Sequence, residues 1–133
     1  MRKFTKPILA IVLAGIWVSI SEFARNELVF KSYWVGHYTS LGLDFPDALI
    51  NGAVWGVWSL VFAGLVWVLS RRFTFVETLL VAWVAGFVLM WLVVGNLAVL
   101  PFELLWFAVP WSVLEVLLTT VIATKVDPPG MRP

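Results

Sequence analysis

Long runs of apolar residues without charge dominate the chain. Three of them cover Ala48–Ser70, Thr78–Phe102 and Leu104–Thr124, and the third is interrupted only by Glu115. Each run reaches the roughly 20 apolar residues that a membrane-spanning helix needs. The pattern therefore predicts three spanning helices.

A fourth apolar run, Pro7–Ser21, is shorter. Its roughly 15 residues, at 1.5 Å each, cover about 22 Å of a hydrocarbon core about 30 Å thick. A secretory signal also begins with a basic segment and a short apolar run, but no small-residue cleavage site follows here, so we interpret the run as a retained helix. Glu22, Arg25 and Asn26 then share one helical face, which we expect to point inward because charge facing lipid is costly.

These runs predict an all-α integral membrane protein, a four-transmembrane-helix bundle that forms one domain over residues 1–133. We expect the helices at about residues 7–28, 48–70, 76–100 and 103–124. The segment at about residues 29–47 is expected to be a partly helical outer loop between the first two helices.

The basic residues predict the orientation, because short cytoplasmic loops are enriched in lysine and arginine. Four spans place Arg25 and Lys31 on one side of the membrane. The other side receives Arg2, Lys3, Lys6, Arg71, Arg72, Lys125 and Arg132. We therefore expect a multi-pass protein of a bacterial inner membrane with both termini in the cytoplasm.

Composition excludes several classes of function. Charged residues make up 13% of the chain, against about 25% in soluble domains, and a net charge of +1 gives no reason to expect nucleic acid as a partner. The absence of cysteine excludes disulfides, thiolate metal sites and cysteine nucleophiles. With His37 as the single histidine, we expect neither a metal nor another cofactor.

Small residues suggest where helices approach one another. Gly52 and Gly56 form a small-xxx-small pair, with Gly64 on nearly the same face, and Ala82 and Gly86 form a second pair. Such pairs let helix backbones come close in lipid. We expect them to pack within the bundle, and a homodimer face is the alternative.

Glu115 is the strongest candidate for a functional residue. It lies about 16 Å along the fourth helix, counted from Leu104, and thus near the membrane midplane. An acid at this depth either pairs with a cation or stays protonated, and such residues are functional candidates. The alternative is a protonated side chain that hydrogen-bonds to Ser112, Thr119 or another helix.

Tryptophans near the middle of each helix extend this candidate site. Tryptophan is usually enriched at the two membrane–water interfaces. Four tryptophans of this chain instead lie close to the level of Glu115. An inward orientation would create an aromatic centre suited to a flat lipophilic or cationic ligand. The alternative is that the rings fill the core or face lipid. The predicted ligand-binding residues are Glu115, Trp17, Trp58, Trp91, Trp111, Ser59 and Ser112.

A second group of polar residues gathers at the outer end of the predicted bundle. It is either a salt-bridge network that closes the bundle or a polar vestibule that leads toward Glu115. The members of this outer polar cluster are Glu22, Arg25, Asn26, His37, Asn51, Asn96 and Glu103.

Two resemblances to known families are limited to small features. The layout of four helices, one intramembrane acid and many tryptophans resembles small multidrug-resistance exporters, which carry the acid in the first helix rather than the fourth. The segment Leu100–Phe107 resembles the Pro-x-Glu-acid motif of small membrane carotenoid cyclases, with Leu104 at the second acidic position.

Three functions are consistent with the sequence. The first is the binding or transport of a small lipophilic or cationic molecule in the tryptophan-lined centre beside Glu115. The second is a non-catalytic accessory subunit that assembles with a larger membrane partner. The third is a membrane enzyme on a lipophilic substrate with Glu103 or Glu115 as acid. We assign no catalytic residue. We rank the first function ahead of the other two.

Overall fold

In the computed structural model, which describes residues 2–130, every regular element is helical. The first helix, α1, covers Arg2–Phe23 and continues as a π-helical turn over Ala24–Val29. After it come α2 (Lys31–Ser40), α3 (Leu49–Ser70), α4 (Phe75–Trp83), a π-helical turn (Val84–Val88), α5 (Leu89–Asn96), a 3₁₀ turn (Phe102–Leu104) and α6 (Leu105–Val126).

Four helical segments are long and apolar enough to cross a membrane. They are Phe4–Val29, Leu49–Ser70, Phe75–Asn96 and Phe102–Val126. The prediction of four long apolar helices is therefore confirmed. α2 lies in the connection between the first and second of these segments.

The ends of the helices differ from the expected positions. The first segment begins earlier than expected and stays helical through Glu22 and Arg25, and both side chains are buried. The polar face of helix 1 thus points inward, as predicted. The third segment ends at Asn96, before a turn in which Ala98 has a φ of 61°, a left-handed conformation that interrupts helical hydrogen bonding.

α3 and α6 are the helices that hold the bundle together. α1 and α4 each contact both of them, and α3 and α6 also contact each other. An aromatic group fills the space between them: the rings of Trp58 and Phe62 stack at 5.1 Å between centroids, and Phe87 meets each of them edge-on. The buried residues around these rings are Val18, Val66, Ala82, Val116 and Ala123.

Two glycines lie where helices approach closely. A Cβ atom on Gly15 would lie 3.3 Å from the Cα atom of Leu60, and one on Gly86 would clash with the ring of Phe62. The predicted close packing at Ala82 and Gly86 is confirmed, because both are buried. The role of Gly15 was not predicted.

The prediction that Gly52, Gly56 and Gly64 pack within the bundle is wrong. A Cβ atom on any of the three would meet no atom within 4 Å. The small-xxx-small pattern shows which residues are small, but Gly52 and Gly56 border a cavity rather than the surface of a neighbouring helix.

Large apolar side chains cover the outside of all four apolar segments. Leu49 is 93% exposed and Trp106 is 85% exposed, and Ile8, Ile16, Val61 and Leu92 also point outward. A continuous apolar exterior of this kind suits lipid as the surrounding solvent.

Candidate functional site

A buried polar network joins α1 and α6. Glu115 is fully buried, and the hydroxyl of Ser21 donates a short hydrogen bond to its Oε2 atom. The indole of Trp111 donates to the Ser21 hydroxyl at 3.0 Å, and that of Trp17 donates to the carbonyl oxygen of Glu115 at 3.1 Å. Of the partners that the sequence suggested, the one observed for the Glu115 carboxyl is another helix, α1, rather than Ser112. The Thr119 hydroxyl donates to the backbone carbonyl of Glu115.

A buried ion pair lies beside this network. Arg25 Nη2 donates to Glu22 Oε1 at 2.6 Å, and both side chains are 3% exposed. Asn26 donates to the second carboxylate oxygen of Glu22 at 2.8 Å, and Trp34 donates to Asn26 at 3.1 Å. The guanidinium lies over the ring of Phe87, 5.3 Å from its centroid, so several contacts hold Arg25 in place.

The π-helical turn at Ala24–Val29 carries part of this pair. A π turn inserts one residue into the helical repeat, and such turns occur frequently at functional sites. It begins directly after Phe23, so Glu22 belongs to the regular helix and Arg25 to the wider turn.

The network and the ion pair form one charged group. The carboxyl of Glu115 lies within electrostatic range of both Glu22 and Arg25. Two carboxyl groups and one guanidinium carry no net charge when they share a single proton. Three buried atoms of this group have no hydrogen-bond partner among residues 2–130: Glu115 Oε1, Arg25 Nε and Arg25 Nη1.

A large cavity opens beside the ion pair. Its volume is about 730 Å³, which lies within the range of about 300–1,000 Å³ typical of small-molecule sites. α1, α3 and α5 provide its walls, and α2 with the segment before α3 covers it. The polar residues of the wall are Ser19, Glu22, Arg25, Asn26, Glu27, Asp47, Asn51 and Ser59, and the aromatic ones are Phe23, Trp34, Tyr38, Phe45, Trp55 and Trp91.

The predicted ligand-binding residues are divided between the cavity and the packed core. Trp91 and Ser59 line the cavity. Trp17, Trp111 and Glu115 belong to the α1–α6 network, Trp58 stacks in the aromatic core, and the Ser112 hydroxyl accepts a hydrogen bond from Trp83. The cavity thus lies beside the Glu115 network and is connected to it through Glu22 and Arg25.

The outer polar cluster is also divided. Glu22, Arg25 and Asn26 are joined by hydrogen bonds, and Asn51 lies across the cavity from them. His37 and Glu103 line a separate depression. The Nε2 atom of His37 lies 2.8 Å from the carbonyl oxygen of Ala98, which requires this nitrogen to carry the proton, and Asn96 is exposed at the end of α5.

Lys31 connects the elements at the mouth of the cavity. Its ammonium group lies 2.8 Å from Glu27 Oε2 and 3.6 Å from Asp47 Oδ2. The hydrogen bond to Glu27 raises the pKa of Lys31 above its ordinary value, so Lys31 stays charged at neutral pH. The acids at the mouth therefore have a cationic partner.

Sequence reasoning missed several residues that matter here. Ser21 bridges α1 and α6, and only its position one helical turn before Arg25 indicated that it belongs to the polar face. Trp34 was not among the predicted site residues, yet it hydrogen-bonds to Asn26 and lines the cavity. Trp55 carried no signal that distinguished it from the other tryptophans.

No protein family model matches the sequence, and neither curated proteins nor solved structures match it significantly. The two family resemblances found in short features of the sequence gain no support from these comparisons. Among residues 2–130, no group of three or more His, Cys, Asp or Glu side chains is arranged to hold a metal ion.

Proposed function

We propose that this chain is a membrane protein that binds a small lipophilic molecule in the cavity between α1, α3 and α5, as a binding or transport protein. The observation that carries the proposal is the cavity itself. It combines a ligand-sized volume and an aromatic wall with a few fixed polar groups, which is the usual composition of a small-molecule site.

The proposed setting is a bacterial inner membrane with both termini in the cytoplasm. Four apolar segments of sufficient length support a membrane setting. The distribution of basic residues supports the orientation, because Arg71, Arg72 and Lys125 would share the side of the N-terminal basic segment. In this orientation the cavity lies in the outer half of the membrane, and α2 with the segment before α3 forms the outer loop above it.

Filling the cavity tests the proposal. Gly56 lines the cavity and has open space at its Cβ position, so Gly56→Leu should occupy part of the volume without displacing a helix. Gly64 lies on the same helix, also has open space, and is not among the cavity-lining residues. Gly64→Leu is therefore a matched control.

The measurement is quenching of tryptophan fluorescence by 2-acetylnaphthalene, a flat probe that accepts energy from tryptophan, with the protein in lipid nanodiscs and empty discs as background. We expect saturable quenching by the wild type and by Gly64→Leu. For Gly56→Leu we expect the dissociation constant to rise about tenfold or more, since two or more buried groups lose contact at roughly 0.8 kcal/mol each. Equal affinity in all three proteins would contradict binding in this cavity, and the absence of saturable binding would favour the accessory-subunit alternative.

A further inference from the structure

We propose that the ligand of this cavity is a lipophilic cation, and that Glu27 and Asp47 bind its positive charge at the mouth beside a group of aromatic rings. The inference rests on the proposed function and adds the charge of the ligand and the place of its head group. It follows from the position of two carboxylates and three rings at one end of a cavity whose wall is otherwise largely apolar.

The carboxylates at the mouth outnumber their cation. Lys31 supplies one ammonium group for both, at 2.8 Å from Glu27 Oε2 and 3.6 Å from Asp47 Oδ2, and the second distance exceeds that of a hydrogen bond. The side chain of Asp47 is 65% exposed, so a second cation can reach it. Glu27 and Asp47 line the cavity, whereas Lys31 is not part of its wall. One negative charge therefore remains at the mouth for a cation of the ligand.

Three aromatic rings lie at the same end of the cavity. Phe45 stacks with Trp34 at 6.4 Å between centroids and meets Tyr38 edge-on at 5.4 Å. All three residues are only half-buried and line the cavity, and Phe45 belongs to the same covering segment as Asp47. The face of an aromatic ring attracts cations, and ammonium ligands are commonly recognised in this way. Rings and carboxylates together therefore favour a cationic head group over a neutral or anionic one.

The charges deeper in the wall are already balanced. Arg25 pairs with Glu22 at 2.6 Å, and both side chains are 3% exposed. A ligand that placed its own charge at this depth would lose hydration without gaining an unpaired counter-ion. The head group is therefore expected at the mouth, and not at the centre of the bundle where the sequence pointed to Glu115.

The order of groups along the cavity matches an amphiphilic cation. Asp47 precedes α3, whereas Trp55 lies about 9 Å along α3 from Leu49, and Trp91 lines the wall from α5. Long cationic side chains at a membrane surface keep the charge in water and the stem in the apolar region. A lipophilic cation in this cavity adopts the same arrangement, with its charge beside Asp47 and its apolar body between α3 and α5.

Three probes that share one ring system isolate the charge of the head group. (2-Naphthylmethyl)trimethylammonium is a permanent cation, 2-neopentylnaphthalene has the same shape with carbon in place of nitrogen, and 2-naphthylmethanesulfonate is an anion. Quenching of tryptophan fluorescence gives their dissociation constants in lipid nanodiscs of one composition, each corrected for partitioning into empty discs. We expect the wild type to bind the cation about tenfold more tightly than the hydrocarbon, from one ion pair and one cation–π contact at a partly exposed site. The anion should bind most weakly.

Variants with opposite expected effects assign this preference to the mouth. Asp47→Asn removes one carboxylate and should lower the ratio of cation affinity to hydrocarbon affinity by up to about fivefold. Lys31→Met removes the internal competitor for both carboxylates and should raise the same ratio. Asp44 is an exposed acid of the covering segment that does not line the cavity, so Asp44→Asn is a matched control that should leave the ratio unchanged. The ratio cancels a general loss of binding competence, and a distorted mouth does not move it in opposite directions.

A further variant tests the rings. Phe45→Leu keeps an apolar side chain but removes the ring that contacts Trp34 and Tyr38. We expect the ratio of cation affinity to hydrocarbon affinity to fall about threefold, the fold-change that corresponds to a cation–π contact at a partly exposed site. An unchanged ratio would remove the rings from the proposed site.

The outcomes distinguish this inference from the proposed function. Equal binding of cation and hydrocarbon by the wild type would overturn the inference and leave a cavity for neutral lipophiles. Tighter binding of the sulfonate would overturn it in favour of an anionic ligand. A preference for the cation that neither Asp47→Asn nor Lys31→Met alters would overturn the assignment to the mouth. If no probe binds with saturation, the proposed function itself fails.

Discussion

At the scale of single residues, Glu22, Arg25 and Glu115 form one electrostatic unit. The two carboxyl groups and the guanidinium are all buried; Arg25 pairs with Glu22, and Glu115 lies within electrostatic range of both. Removing the sole counter-ion of a buried charge lowers the stability far more than removing one of two counter-ions. Because this group holds two acids for one cation, either acid can balance Arg25 when the other is neutral.

This redundancy predicts a non-additive response to neutralisation. We expect Glu115→Gln and Glu22→Gln each to lower the free energy of unfolding by about 1–3 kcal/mol, because a hydrogen bond is altered while Arg25 keeps one carboxylate. The double variant should lose about 3–5 kcal/mol beyond the sum, since Arg25 is then left without a counter-ion. Reversible unfolding by sodium dodecyl sulfate in mixed micelles measures all four corners of the cycle. Ser70→Ala, whose hydroxyl donates to the Trp67 carbonyl within α3, serves as a distant control, and additive losses would contradict the shared-charge account.

At the scale of elements, the sequence predicts the helices well and their rotations poorly. Run length and the absence of charge are sufficient to predict three of the four long helices, and the first also required the argument that its charged face points inward. In lipid, however, the outer face of a helix is as apolar as the inner face, so hydrophobicity does not indicate which side of α3 is buried. Gly52 and Gly56 were therefore expected at a helix contact, whereas the structure places them at the cavity.

The polar residues predicted the rotations of the helices better than the small residues did. Glu22 and Arg25 were expected to face inward because lipid excludes charge, and both are buried. The burial of Glu115 was also predictable, but its contact with Ser21 was not, because the pairing depends on how α1 and α6 pack. The cavity was beyond sequence reasoning as well, since it depends on the relative positions of α1, α3, α5 and the covering segment.

At the scale of the whole molecule, the two ends of the bundle are closed differently. α2 and the segment before α3 cover the end that contains the cavity. At the other end, Asp127 accepts a hydrogen bond from Trp67 at 2.9 Å and lies 3.6 Å from Arg71, which joins α3 to the end of α6. The proposed orientation places this tightly bonded end in the cytoplasm and the cavity toward the outer surface.

Cysteine labelling tests that orientation directly, because the chain contains no cysteine of its own. Thr39 and Gly130 are both exposed and lie beyond opposite ends of the apolar segments. In intact bacterial spheroplasts, a membrane-impermeant maleimide should label Thr39→Cys, whereas Gly130→Cys should react only after lysis. The reverse pattern would show that both termini face outward, and labelling of both variants without lysis would contradict four complete spans.

The central claim is that the cavity between α1, α3 and α5 holds a small lipophilic molecule. The most direct measurement is the anomalous scattering of bromine in crystals grown with 6-bromo-2-acetylnaphthalene. The account predicts a bromine peak inside the cavity near Trp55 and Trp91. Bromine peaks only on the lipid-facing surface, with the cavity free of probe density, would contradict it.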